Sequence, residues 1–265
     1  MTRNSIIVLL VVAAFFVSGV MAQDGSLFDE LEKYAEEEID PVATPVVEAF
    51  GTAITGGLYH TARTHGMLGF DIGFRAMMVL IPEGESDILD SADVKFFPVP
   101  VIQASVGLPM DFEVMLRGFS VKFEDETISL FGVGVKKNFK SYIPVPGFPD
   151  VSAMIAYHSF KAGDYLSSTH LSFDVMVSKK FLLITPYAGF GYDKTSMDVE
   201  YTYVYDNPLP PPAQLEVPVS HTIDVSTGRF TMGLNITPFP FVNIFADYNI
   251  GKFSEITAGL AISFR

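Results

Sequence analysis

The sequence predicts an all-β fold, an antiparallel transmembrane β-barrel of about ten strands with a short N-terminal helical segment at or in the lumen. Three observations lead to this fold class. Residues 241–250 and 256–264 alternate apolar and polar or small side chains with a period of two, which is the period of a strand. Each run has about the 9 to 11 residues that a tilted strand needs to cross a bilayer. The head of the chain has the features of an export signal.

The N-terminus is predicted to be a cleaved signal peptide. Arg3 supplies a positive charge, residues 6–17 are apolar, and small residues precede a cleavage point before Gln23. The apolar run is shorter than the roughly 20 residues of a membrane-spanning helix. The predicted division is a signal peptide at residues 1–22, a helical segment at 23–66 and a transmembrane barrel at 67–265.

Composition limits the classes of function. The chain contains no cysteine, so disulfides cannot stabilise the exported protein. Its formal net charge of −14 argues against a nucleic-acid partner, because phosphate contacts need clusters of Lys and Arg. No cofactor and no resident metal are predicted.

Two helices are predicted before the first strand. The first covers residues 26–39, with Ser26 as a cap, and Asp40-Pro41 should end it. The second covers residues 45–58, which is too short to cross a bilayer as a helix. Its apolar stripe should therefore lie in the lumen or across the periplasmic mouth, and a weakly ordered periplasmic linker is the alternative. The lumen-facing candidates are Val47, Phe50, Ile54 and Leu58.

Ten strands are predicted from residue 68 onward, where a period of two replaces the helical period. They cover residues 68–81, 100–108, 111–122, 127–138, 151–160, 169–178, 182–204, 220–237, 241–250 and 256–264. Even-numbered barrels keep both ends of the chain in the periplasm, with short turns there and longer loops outside. Counts from eight to fourteen also fit the pattern. The last strand must pair with the first, because an open edge is not tolerated in lipid.

Polar side chains on the inner face of these strands are expected to line the lumen. They are Asp71, Arg75, His170, Ser172, Asp174, Arg229, Asn235, Asn243, Asp247 and Asn249. The strand at residues 182–204 is longer than a crossing requires, so its distal part should project beyond the membrane and pair with residues 215–225.

Acidic residues concentrate on the first outer loop, which is predicted between residues 82 and 99. Carboxylates there could bind Ca²⁺ or Mg²⁺ that bridges lipopolysaccharide phosphates, since these cations prefer oxygen ligands. The candidates are Glu83, Glu85, Asp87 and Asp90. A hydrated acidic loop explains the same residues without a cation.

His170, Ser172 and Asp174 share one face of a strand, which raises the hypothesis of a lipid-modifying hydrolase. Same-face neighbours are about 6.6 Å apart along a strand, so Asp174 would lie about 13 Å from His170. Hydrogen-bond reach is about 3 Å, and polar lining of the lumen accounts for the three residues equally well. We therefore expect no enzymatic activity.

Several stretches resemble a family of uncharacterised outer-membrane β-barrel proteins of Gram-negative bacteria. They are residues 58–62 (LYHTA), 68–71 (LGFD), 131–136 (FGVGVK), 185–189 (TPYAG) and 258–265 (AGLAISFR). The resemblance covers most of the mature chain and implies a barrel of unknown activity. One departure concerns the assembly signal, which usually ends in an aromatic residue, whereas Phe264 is followed here by Arg265.

The expected function is a non-enzymatic outer-membrane barrel with a structural, binding or small-apolar-solute transport role. Ten strands enclose little more than side chains, so a wide diffusion pore is disfavoured. The expected partners are outer-membrane lipid, lipopolysaccharide, the barrel-assembly machinery and a small apolar solute. Two alternatives are the lipid-modifying barrel enzyme and a secreted soluble β-sandwich. The oligomeric state is left open.

Overall fold

The barrel is formed by ten antiparallel strands that close into a single sheet. The structure is a computed structural model, and it describes residues 39–91, 93–123, 126–143, 145–163, 166–207 and 213–264. Each strand pairs with its neighbours in sequence, and the first strand also pairs with the last. The predicted fold class and the strand count of ten are confirmed.

The strands lie close to the predicted boundaries. They are β1 (Phe70–Leu80), β2 (Phe96–Leu108), β3 (Phe112–Phe123), β4 (Glu126–Asn138), β5 (Asp150–Ala162), β6 (Leu166–Ser178), β7 (Ile184–Asn207), β8 (Ala213–Phe239), β9 (Val242–Ile250) and β10 (Ser254–Phe264). The largest difference is in β2, which begins earlier than predicted, because its pairing with β1 continues beyond the alternating pattern as far as Phe96 and Leu80. The predicted pairing of β7 with residues 215–225 is confirmed, and β8 extends it to Ala213.

Pairing of β1 with β10 closes the barrel, as predicted. Phe70 pairs with Phe264 at one end, and Leu80 pairs with Ser254 at the other. The end with Phe70 and Phe264 is called the inner end, because barrels of this class keep both ends of the barrel chain in the periplasm. The opposite end is called the outer end. Closure leaves no unpaired strand edge in the apolar layer.

Large apolar side chains cover the outward face of the wall. Phe74, Ile102, Phe131, Val175 and Leu260 are each at least half exposed. A face of this kind is stable against lipid tails and unfavourable in water. The alternative of a soluble β-sandwich is therefore wrong, since a sandwich has two sheets and hides its apolar faces between them.

Strands β7 and β8 form a hairpin that is far longer than a membrane crossing. They have 24 and 27 residues, and they stay paired as far as Asn207 and Ala213. A tilted strand needs only about 9 to 11 residues to cross a bilayer. The hairpin therefore rises well beyond the outer end of the barrel.

Helix α1 (Ile39–Thr55) precedes the barrel, and the short helix α2 (Asp87–Ser91) lies between β1 and β2. The structure places the start of α1 earlier than the prediction at residue 45, so the predicted stop at Asp40-Pro41 is wrong. Proline is accommodated in the first turn of a helix, where its missing N–H has no partner in any case, so Pro41 opens α1 instead of ending a helix. The predicted helix at residues 26–39 lies outside the described residues except for its last position.

Among the described helices, none is long and apolar enough to cross a membrane.

Candidate functional site

The lumen is occupied by the chain itself. Helix α1 fills its outer half, and residues 56–65, called the descending segment, continue to the inner end. Phe50 of α1 contacts Phe97 near the outer end of β2, with ring centroids 5.7 Å apart. His65 bonds to Glu113 near the inner end of β3. Together α1 and the descending segment are called the plug.

The outer half of the lumen holds α1 through apolar side chains. Val47, Phe50 and Ile54 are buried in a cluster with wall residues that include Met77 and Phe160. The rings of Phe50 and Phe160 meet edge to face, with centroids 4.8 Å apart. Edge-to-face contacts are favoured by the ring quadrupoles and add to the gain from burial.

Three arginines of the wall bind the C-terminal end of α1. Arg75 of β1 donates to the Gly57 carbonyl (2.6 Å), and Arg229 of β8 donates to the Thr55 carbonyl (2.5 Å). Arg117 of β3 donates to the carbonyls of Gly56 and Ile54, at 2.8 and 3.1 Å. The last carbonyls of a helix lack partners and carry partial negative charge, so cations stabilise them. Helix α1 has no basic residue in its last turn, and the wall supplies the charge instead.

Arg229 and Arg75 have further partners in the wall and the plug. Arg229 forms ion pairs with Asp174 (2.6 Å) and Asp193 (3.2 Å). Arg75 donates to Nδ1 of His60 (3.2 Å) and lies over the ring of Phe245, 4.8 Å from its centroid. Burying guanidinium groups is tolerated when carboxylates, carbonyls and rings surround them in this way.

A second polar network lines β9 and β10. The Tyr187 hydroxyl donates to Asp247 (2.7 Å), and Asn249 donates to Asp247 and to Glu255. The Glu255 carboxylate lies against Gly56, so a Cβ at Gly56 would overlap it. The absence of a side chain at this position therefore allows the plug to approach the wall closely.

The inner half of the lumen holds the descending segment mainly through its backbone. Gln103 donates to the Leu58 carbonyl (3.0 Å), and Asn138 donates to the Ala62 carbonyl (3.0 Å). The Ala62 N–H donates to the Ser178 hydroxyl (2.9 Å). The Ala62 carbonyl also accepts a hydrogen bond from the Ser152 hydroxyl. A buried backbone group without a partner costs about 1–3 kcal/mol, so these wall side chains stabilise the course of the descending segment by pairing its backbone groups.

A smaller apolar cluster accompanies these bonds. It contains Leu58, Tyr59, Ala62, Met115, Met154, Ala156, Met176 and Tyr187. The inner half is thus mixed. The wall makes polar contacts to the plug backbone and to the side chains of Thr61 and His65, and apolar contacts to three further plug side chains.

The ten side chains predicted to line the lumen lie on the inner side of the wall and are buried there. They are Asp71, Arg75, His170, Ser172, Asp174, Arg229, Asn235, Asn243, Asp247 and Asn249. Of the predicted plug side chains, Val47, Phe50 and Ile54 belong to the outer cluster and Leu58 belongs to the inner one.

The structure does not assemble a catalytic triad from His170, Ser172 and Asp174. The ring nitrogens of His170 bond to Ser168 and Thr195, each at 2.9 Å. Asp174 is paired with Arg229 instead. Because His170 is engaged at both nitrogens, neither is directed at Ser172 as a general base.

The four carboxylates proposed as cation ligands are dispersed in the loop between β1 and β2. Glu85 forms an ion pair with Lys252 (2.8 Å), which raises the pKa of Lys252. Asp90 accepts a hydrogen bond from the Gly84 N–H (2.8 Å). Glu83 and Asp87 are exposed. Within the described part of the chain, no group of three or more His, Cys, Asp or Glu side chains is arranged to hold a metal ion.

Several plug-binding residues were not predicted from the sequence. Gln103, Glu113, Arg117, Lys136, Asp193 and Glu255 are all buried and inward-facing. The alternation of inward and outward side chains along each strand is the sequence signal that identifies these residues. Glu113 and Arg117, for example, share the inward parity of β3 with Met115. A charged residue at an inward position of a strand indicates a lumen-lining side chain, and this holds for Glu113 and Arg117 as it does for Arg75.

The sheet is closed, its outward face is apolar, and its lumen is filled by residues that precede the first strand. These features place the protein in the class of plugged transmembrane β-barrels. Within it, a family model described as "Family of unknown function (DUF6588)" matches residues 1–89 and 85–264. The chain belongs to this family, and the resemblance to uncharacterised outer-membrane barrels is confirmed. No curated protein sequence matches the chain.

Solved structures with a similar fold include two autotransporter domains and a protease. The β domain of the Bordetella autotransporter BrkA is 10% identical with a TM-score of 0.43, and the match covers 75% of this chain and 100% of that one. The translocator domain of the autotransporter NalP from Neisseria meningitidis is 8% identical with a TM-score of 0.40, covering 86% and 99%. The outer-membrane protease OmpT from Escherichia coli is 10% identical with a TM-score of 0.38, covering 74% and 97%.

Proposed function

We propose that this protein is a non-enzymatic outer-membrane barrel with a closed lumen, which acts in a structural or binding role through the surface that it presents outside the membrane. The observation that carries the proposal is the binding of three wall arginines to plug carbonyls at the junction of α1 and the descending segment, from Ile54 to Gly57. Breaking these contacts would leave plug carbonyls without donors inside the lumen and would remove both carbonyl partners of the buried Arg117, so a plug held in this way is expected to stay in place.

The direction of the plug supports an outward role. Ala43 and Val47 share a cluster with Leu89 of α2, which belongs to an outer loop. Pro41, at the start of α1, is exposed. The polypeptide therefore enters the lumen at the outer end and leaves it at the inner end before β1 begins. The start of α1 and the long β7–β8 hairpin form the surface through which a partner outside the cell would be bound.

Transport of a small apolar solute is a second candidate, favoured by the apolar lining of the outer half. It would require α1 to leave its cluster, because Val47, Phe50 and Ile54 occupy that space. Conductance and solute leak separate the two candidates.

The first experiment reconstitutes the full chain in liposomes and in planar bilayers. The intact protein should be silent, whereas deletion of the whole plug, residues 39–65, should produce ion current and solute leak. Heat-modifiable gel mobility of the deletion variant serves as the folding control. A conducting intact protein, or a folded deletion variant that remains silent, would contradict the closed lumen.

The second experiment tests the direction of the plug with single cysteines, which is straightforward because the chain has none. A membrane-impermeant maleimide applied to intact cells should label Pro41→Cys and the outer-loop control Gly84→Cys. It should label Leu182→Cys, in an inner turn, only after permeabilisation. Labelling of Pro41→Cys only after permeabilisation would reverse the assignment.

Two further points complete the proposal. Mass spectrometry of the protein from outer membranes should find a mature N-terminus at Gln23.

Purified protein should release no fatty acid from phospholipid or lipopolysaccharide. A release that disappears in Ser172→Ala would establish the alternative of a lipid-modifying enzyme.

A further inference from the structure

A polar pocket opens at the inner end of the lumen, beside the descending segment. It has a volume of about 240 Å³. Its wall residues Ser178, Thr185, Asn235, Asn243 and Ser263 are buried on the inner face of the barrel. The pocket is therefore reached from the periplasm through the mouth of the barrel and not from the lipid.

Two cations of the pocket have no partner among the described residues. Arg63 and Lys180 line it, and neither side chain forms a hydrogen bond or ion pair within the described part of the chain. The third charged residue of the lining is Asp150, which already pairs with Lys140 (3.5 Å). A pocket whose two cations are unpaired within the described ranges, in a chain of net charge −14, is suited to an anionic ligand.

The neutral part of the lining favours a ligand that is rich in hydroxyl groups. Thr61, Thr185, Asn235 and Thr237 bring hydroxyl and amide groups to the pocket. Oδ1 of Asn235 has no hydrogen-bond partner although the side chain is only 2% exposed. A buried acceptor left unpaired is costly, and a ligand hydroxyl would satisfy it.

An aromatic ring completes the pocket. Phe241 lines it, is 53% exposed, and is held by stacking on Phe264 with ring centroids 4.8 Å apart. Its exposed face can cover the C–H face of a sugar ring, while cations and amides bind the polar edge. The volume is below the roughly 300–1,000 Å³ of pockets for drug-sized ligands, which indicates a single sugar unit.

We propose that this inner-mouth pocket binds a carboxylated sugar from the periplasm. Arg63 and Lys180 bind the carboxylate, Asn235 accepts a hydrogen bond from a sugar hydroxyl, and Phe241 packs on the ring. The sugar can belong to peptidoglycan or be a free sugar acid, and the two sources are separated by experiment. The proposal does not depend on whether the lumen is closed.

The test uses the full chain in detergent micelles with two probes, purified peptidoglycan sacculi in a sedimentation assay and free N-acetylmuramic acid in a calorimetric titration. We expect the wild-type protein to bind at least one probe. The double variant Arg63→Gln with Lys180→Gln should bind at least about tenfold more weakly, as expected for the loss of charge-assisted hydrogen bonds. Binding of sacculi alone assigns the source to peptidoglycan, and binding of the free sugar assigns it to a soluble acid.

Lys179→Gln is the matched control. Lys179 is the neighbour of Lys180 in sequence, but it does not line the pocket and donates to the Gly147 carbonyl (2.7 Å). This variant should bind like the wild type, and all variants should keep heat-modifiable mobility. Binding of neither probe, equal binding by the double variant, or equal loss in Lys179→Gln would overturn the proposal. So would binding of phosphatidylglycerol vesicles or inorganic phosphate in place of the sugar.

Discussion

The outer and inner halves of the lumen hold the same plug by different means. In the outer half, α1 presents Val47, Phe50 and Ile54 to apolar wall residues. In the inner half, wall side chains such as Gln103 and Asn138 bind carbonyl groups of the descending segment. The outer half therefore recognises the side chains of the plug, and the inner half mainly recognises the course of its backbone.

This difference predicts which substitutions destabilise the binding of the plug in each half of the lumen. Apolar contacts depend on the volume and shape of side chains, so the outer half should respond to truncation. Backbone contacts do not depend on the plug side chain, so the inner half should respond to loss of a wall partner or to a change of backbone conformation. The two halves meet at the end of α1, where the arginines bind.

The largest effect is expected from Arg229→Met, which removes the cation at that junction. Asp174 and Asp193 would then remain buried without their ion pair, and the Thr55 carbonyl would lose a donor. Removing one partner of a buried pair costs about 3–5 kcal/mol. The free energy of unfolding, measured by urea titration in lipid vesicles with gel mobility as the readout, should fall by that amount.

The control for Arg229→Met is Lys194→Met. Lys194 is exposed on the outward face of β7, so its replacement should change the free energy of unfolding by less than about 1 kcal/mol. Equal effects of the two substitutions would show that the buried contacts of Arg229 do not stabilise the plugged state.

A smaller effect is expected from Ile54→Ala in the outer half. Ile54 is fully buried, and truncation leaves a cavity beside the wall cluster. Losses of this kind cost about 2–4 kcal/mol, whereas Ile54→Val should cost about 1 kcal/mol. The same urea titration measures both. If the two variants lost the same stability, the volume of the side chain would not be what the outer half recognises.

The architecture could be predicted from the sequence because a transmembrane strand carries its own signal. Alternation in runs such as β9 and β10 fixes both the secondary structure and the side of the wall that each residue faces. Closure then follows, since an open edge is excluded in lipid. The start of β2 could not be predicted, because its pairing with β1 continues through residues 96–99, which do not alternate apolar and polar side chains.

The contacts of the plug could not be predicted in the same way. Which wall residue meets which plug carbonyl depends on the register between β-strands and a helix far away in sequence, as with Arg229 and Thr55. The alternation of side chains with a period of two predicts that Arg75 and Arg229 face the lumen, but it does not predict which groups they bind. The start of α1 was misplaced because Pro41 is compatible both with the end of one helix and with the first turn of another.

The smallest effect is expected from Gly57→Ala, which tests the backbone of the inner half. Gly57 has φ +59, a left-handed conformation that costs about 1–2 kcal/mol for a residue with a Cβ. A Cβ there would also lie 2.9 Å from the Thr257 side chain. We expect a loss of about 1–2 kcal/mol in the free energy of unfolding.

Gly84→Ala provides the comparison that separates backbone conformation from packing. Gly84 has φ +86 in an exposed outer loop, and a Cβ there would have no atom within 4 Å. Its replacement changes only the local conformation, and an exposed loop can relax. Gly57→Ala should therefore lose more stability than Gly84→Ala, because the carbonyl of Gly57 is fixed by Arg75 and cannot turn away. Equal losses would mean that the descending segment shifts freely, and that the wall does not hold it by its backbone.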